Sequence, residues 1–136
     1  MSNIINTWKS WAPYIRSMLR ISAAALFMLV GTAKLFAFPI AVTPTGAVIP
    51  IMSLIGLAGM LEVFGGLLML LGLFTRPTAF VLSGEMAVAY FMAHFAKSAW
   101  PMLNGGTDAI LFSFIFLYFS SAGAGHWSLD AWRGKH

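Results

Sequence analysis

The sequence predicts an all-α integral membrane protein, a bundle of four transmembrane helices with both termini cytoplasmic. Three observations lead there. Of 136 residues, 60% are hydrophobic and only 9% charged, against about 25% charged in an average soluble domain. The apolar residues fall into four runs separated by proline, glycine and polar breakers. Most of the basic residues flank those runs on one side of the expected membrane. With no polar block between the runs, the chain reads as a single membrane domain over residues 1–136.

The first span is expected over about residues 14–38, with Pro13 suited to a helix start and Pro39 ending it. The basic residues ahead of it resemble a signal peptide. However, the stretch from Ile21 to Phe38 is long for a cleaved segment and lacks a small-x-small cleavage site, so it is expected to be retained. The second span covers about residues 50–74, and Thr75-Arg76-Pro77 then forces a tight turn into a third over about 78–97. After a polar, glycine-containing loop, Asn104-Gly105-Gly106-Thr107-Asp108 opens a fourth over about 107–122, which Gly123 and Gly125 end.

Lys9, Arg16 and Arg20 precede the first span, Arg76 lies between the second and third, and Arg133 and Lys135 follow the fourth. That asymmetry predicts cytoplasmic termini. The opposite side carries only Lys97, near Asp108, and the loop from Pro39 to Pro50 is uncharged. A pI near 9.9 therefore reflects topology and not a nucleic-acid partner, since no dense basic stripe exists. With no cysteine in the chain, disulfide frameworks, dithiol exchange and iron–sulfur ligation by this chain alone are excluded.

Glu62, near the middle of the second run, is the most informative residue. An ionisable group at that depth costs at least a few kcal/mol unless it is paired or protonated. Counted at 1.5 Å per residue from the Arg76 turn into each helix, Glu62 lies about 18 Å into the second, and Glu85 about 13 Å and His94 about 27 Å into the third. Lys34 lies about 21 Å beyond Arg20 along the first helix. Gly59, Gly65 and Gly66 sit three or four residues from Glu62 and share its face, which suits close helix approach in the bundle interior. Arg20, Ala24, Phe27, Gly31 and Lys34 share another stripe, so Lys34 is able to extend toward Glu62 or to snorkel to the outer interface. Glu85 and His94 are nine residues apart on opposite faces and are not expected to pair.

Each of these residues also has a purely structural reading: Glu62 as a register-fixing ion pair, Glu85 as a second buried acid, Asp108 as a first-turn helix residue. The functional reading gathers Lys34, Glu62, Tyr90, His94, Asn104 and Asp108 into one polar cluster in the outer half, walled by Phe36, Phe38, Phe91 and Trp100. Such donors beside aromatic walls suit a quinone head group, and equally a lipid or a transported cation. No metal-ligand spacing and no soluble-enzyme motif is present.

Several segments together resemble the DoxX family of small bacterial and archaeal membrane proteins: Gly31 to Lys34, Glu62-Val63-Phe64-Gly65-Gly66-Leu67-Leu68, Gly72-Leu73-Phe74-Thr75-Arg76, Asn104-Gly105-Gly106, and the tail from Gly123 to Asp130. His126 and Trp127 stand where a basic residue and a tyrosine are expected. The resemblance implies a four-helix protein of the cell membrane, the inner membrane in a Gram-negative cell. It implies association, in some members, with quinone-linked oxidation of sulfur compounds or with membrane oxidoreductase complexes. It supplies no catalytic set. The resulting expectation is an accessory or quinone-interacting subunit rather than a self-sufficient enzyme, with the lipid bilayer, a redox-enzyme subunit and a second copy as partners. A small transporter using Glu62 and a non-catalytic scaffold remain the alternatives.

Overall fold

The computed structural model describes residues 1–136 and is entirely helical. Helix α1 (Ser2–Ser10) leads through Trp11 into α2 (Ala12–Phe36), followed by α3 (Leu54–Leu71) and α4 (Thr75–Ala89). A π-helical turn, Tyr90–Phe95, extends α4, and the short α5 (Pro101–Asn104), α6 (Thr107–Ala122) and α7 (Leu129–Trp132) complete the chain. Ala12–Phe36, Leu54–Leu71 and Thr75–Phe95 are long and apolar enough to cross a membrane, and Thr107–Ala122 is a shorter apolar helix.

Helix α2 packs along α3 and α4 along α6, while α3–α4 and α2–α6 contacts close the ring. Inside it lie Ala24, Phe27, Met69, Ala79, Leu82, Met86, Ala109, Phe116 and Phe119. Phe27 and Phe116 meet edge to face at 4.8 Å. Across α4 and α6, Ser83 Oγ donates to the Ser113 carbonyl at 2.8 Å and Ser113 Oγ donates back to Ser83 at 3.0 Å. Such reciprocal bonds join helices where burial against lipid supplies no driving force. Outside the ring, Leu26, Phe64, Phe80 and Phe114 are exposed, one on each long helix. A surface so apolar on every side belongs against lipid tails, and the molecule is a multi-pass membrane protein.

The second and third helices depart from the expected boundaries for local reasons. The second starts at Leu54 and not near Pro50, because Ser53 caps it by accepting from the Gly56 amide at 3.0 Å. It stops at Leu71, where Gly72 turns left-handed (φ 65°) and the Leu73 amide reaches back to the Leu68 carbonyl at 2.9 Å. The turn is therefore Gly72 to Phe74, not Thr75 to Pro77. Helix α4 begins at Thr75 and carries Pro77 in its first turn, where a missing amide proton costs no helical bond. Helices α1, α5 and α7 were not expected. Each is short or amphipathic, and no long apolar run marks it.

Candidate functional site

Glycines bring α2 and α3 close enough for their charged residues to meet. A Cβ on Gly31 would stand 2.8 Å from the Gly59 carbonyl oxygen and 2.9 Å from the Glu62 Cβ. One turn further along each helix from this contact, Lys34 and Glu62 face each other. Lys34 Nζ donates to Glu62 Oε1 at 2.5 Å, with the lysine side chain 19% exposed and the glutamate fully buried. Gly66 also faces α2, where a Cβ would strike Met28, whereas Gly65 faces α4 and lies against Leu82. The three glycines of the Glu62 face thus serve two different neighbours.

Glu62 Oε2 is buried without a hydrogen-bond partner, and so are both carboxyl oxygens of Glu85. Glu85, on α4, is thus a second acid with both oxygens buried and unpartnered. The Lys34 ammonium satisfies one carboxyl oxygen of Glu62, and three buried oxygens of Glu62 and Glu85 are left unsatisfied. Such a group has donors missing rather than acceptors. It is suited to take up a proton or a cation.

Tyr90, His94 and Asn104 form a second group at the loop end of the bundle. Asn104 is 4% exposed. Its Nδ2 donates to the Ser98 carbonyl at 2.8 Å and to Tyr90 Oη at 3.4 Å, and its Oδ1 accepts from the Gly106 amide at 2.7 Å. Gly106 has no room for a Cβ, which would lie 2.6 Å from the Tyr90 ring. The Asn-Gly-Gly segment is thus a turn built around Tyr90. His94 Nδ1 lies 3.0 Å from the Asn104 carbonyl. A carbonyl can only accept, so Nδ1 carries a hydrogen and donates it. Tyr90 and His94 sit in the π-helical turn, a distortion frequent at functional sites, and Asn104 meets them from α5.

The six polar residues expected in one cluster therefore divide. Lys34 and Glu62 form an ion pair, while Tyr90, His94 and Asn104 form a separate hydrogen-bonded group. Asp108 stands apart, exposed in the first turn of α6, and makes no ion pair with Lys97. The division follows from helix packing: Lys34 and Glu62 lie on the α2–α3 interface, whereas the loop group is internal to the connection between α4 and α6.

A residue the sequence reading placed among the flanking charges is the most deeply buried cation. Arg20 is 0% exposed. Its Nε donates to the Ala124 carbonyl at 2.9 Å, its Nη1 to Met69 and Leu70 at 2.5 and 2.6 Å, and its Nη2 to Trp127. The guanidinium thereby ties the end of α3 to the C-terminal tail. Arg16 donates to Ala122, and Arg76 to Ser121, so both serve the carbonyl end of α6. At the same end, α4 has no capping side chain of its own. Asp130 supplies one, accepting from the Phe74 and Thr75 amides at 3.0 and 2.9 Å. Partial burial works against the Asp130 charge, but the amides of Thr75 and Phe74 and the nearby Arg133 outweigh it and hold the carboxyl below its usual range. Cations at helix C-termini and an anion at an N-terminus all complement the helix dipoles. The clue to Arg20 in the sequence is its place on the same stripe as Phe27 and Gly31.

A ring of apolar helices, an interior lysine–glutamate pair and a tail clamped by arginine define a multi-pass membrane protein with a buried charge site. The DoxX family profile matches residues 15–95, more than half of the chain, and the chain belongs to that family. An uncharacterized protein of Haemophilus influenzae is 47% identical over 130 residues, covering 93% of this chain and 96% of that protein. No solved structure matches.

Proposed function

We propose that this DoxX-family chain crosses the cell membrane four times with both ends cytoplasmic, and that it serves a quinone-linked redox system as an accessory, proton-handling subunit. The clustering of Arg16, Arg20, Arg76, Arg133 and Lys135 at one end of the bundle supports that orientation. Although α6 is only about 24 Å long at 1.5 Å per residue, it is apolar from Ala109 to Phe119 apart from Ser113, and its arginine-capped end extends its reach into the interface.

The observation that carries the proposal is the buried Lys34–Glu62 pair with the unpartnered Glu85 carboxyl beside it. Quinol oxidation releases two electrons and two protons. The residues present fit the proton half of that chemistry, since Glu62 Oε2 and the Glu85 oxygens lack hydrogen-bond donors. Phe36, Phe91, Phe95 and Trp100, all exposed toward the loop end, offer ring faces to an amphiphilic head group. With no cysteine in the chain, the electrons would pass to a partner subunit. Glu62→Gln and Glu85→Gln are expected to lower quinol oxidation by native membranes at least about tenfold at equal chain abundance. Unchanged oxidation and unchanged quinone-analogue binding in both variants would remove the quinone role.

The donor-poor geometry favours a second reading, a proton or cation transporter centred on Glu62 and Glu85. Proteoliposome flux driven by a pH gradient and lost in Glu62→Gln would favour it. Loss of assembly alone, with ligand assays untouched, would leave a scaffold whose charges only fix packing.

A further inference from the structure

Two clefts meet at the basic end of the bundle, and Arg16 lines both. One, of about 310 Å³, lies between the start of α2 and the end of α6 and has Arg16, His126, Lys135 and His136 in its wall, with no carboxylate side chain. The other, of about 380 Å³, is mostly apolar and runs along Ile15 and Leu19 of α2 beside Tyr118 of α6. Ile15, Leu19 and Tyr118 are each exposed, so this groove opens on the side that faces lipid.

Arg16 is fixed at the junction. Its Nη1 donates to the Ala122 carbonyl at 2.6 Å, while its Nε is buried with no partner. Asp130, in the same C-terminal segment, is already used, accepting from the amides of Phe74 and Thr75. The terminal carboxylate on His136 is held by Arg76, which donates to its oxygen at 3.2 Å and offsets its charge. Tyr14 packs against His126 at 5.2 Å and Trp127 at 5.6 Å, which puts amphipathic rings beside the polar cleft, as at the headgroup level of a membrane.

We infer that the joined clefts bind one anionic phospholipid, its phosphate among Arg16, Lys135, His126 and His136 and an acyl chain along Ile15 and Leu19. The charge lining selects a phosphate group with no balancing cation of its own. A free phosphate shares that chemistry, but the apolar groove continuing from the same arginine has a use only for a lipid. This site is separate from the Lys34–Glu62 group and stands whether or not quinone binds there.

The test is native mass spectrometry of the purified full chain, titrated with phosphatidylglycerol or with phosphatidylcholine of the same acyl chains. Retention of phosphatidylglycerol is expected to be about tenfold stronger. Lys135 and His136 are exposed, so the double variant K135Q/H136Q should keep its unfolding temperature while losing about fivefold in phosphatidylglycerol affinity. Millimolar inorganic phosphate should fail to displace the lipid. Equal retention of the two lipids, undiminished binding by K135Q/H136Q, or displacement by inorganic phosphate would each overturn the assignment.

Discussion

Removing either partner of the Lys34–Glu62 pair strands a charge where water cannot reach it. Lys34→Met is therefore expected to destabilise the protein by about 3–5 kcal/mol, measured by unfolding in detergent. The double variant K34M/E62M should recover most of that loss, because an apolar pair leaves no uncompensated charge. If the single and double variants unfold alike, the pair is not coupled as its 2.5 Å contact indicates. The position of this contact was readable from the sequence: Lys34 and Glu62 each follow a glycine by three residues, and both glycines lie at the helix crossing. Glu85 was less readable. Its neighbours along α4 give no sign that its carboxyl oxygens are buried without a partner. Arg20 was read from its position outside the apolar run, but its acceptors are carbonyls more than forty residues away, and backbone carbonyls carry no sequence signal.

Between elements, close approach and end-capping decide the geometry. At Gly31 an added Cβ would meet the Gly59 backbone and Glu62 Cβ, neither able to turn aside, whereas at Gly65 it would meet the end of the Leu82 side chain. Gly31→Ala should thus cost about 1–3 kcal/mol and Gly65→Ala clearly less, by the same unfolding measurement. Equal losses would mean that α2 and α3 can separate without consequence. The Asp130 clasp on α4 gives a pH dependence. Because its folded carboxyl titrates below the usual range, its contribution is present above the unfolded value and lost as pH falls through the lowered one. Hydrogen exchange at the Phe74 and Thr75 amides should therefore quicken, relative to neighbouring amides, on acidification into that range. Asp130→Asn should abolish the change. The apolar runs marked the four long helices within a few residues, but α7 and its clasp were hidden, since four residues carry no periodicity.

At the scale of the whole molecule, the two ends of the bundle do different work. The basic end is locked by arginine and aspartate on helix termini, and the loop end opens through a π-helical turn bearing Tyr90 and His94. Between them lies the one ion pair of the structure, Lys34 with Glu62, whose second carboxyl oxygen is unsatisfied. The composition and breakers made the membrane class legible, and the motifs made the family legible. What they could not give was the division of the polar residues into two groups, because that depends on which helices are neighbours. The central claim is that the interior acids exchange protons with a bound quinone and do not merely fix helix register. Infrared difference spectroscopy of the reconstituted protein, as added quinol is oxidised, tests it most directly. A carboxylic-acid carbonyl band is predicted to change in the natural protein and to vanish in Glu62→Gln or Glu85→Gln variants that remain folded; a difference spectrum identical in all three proteins would contradict it.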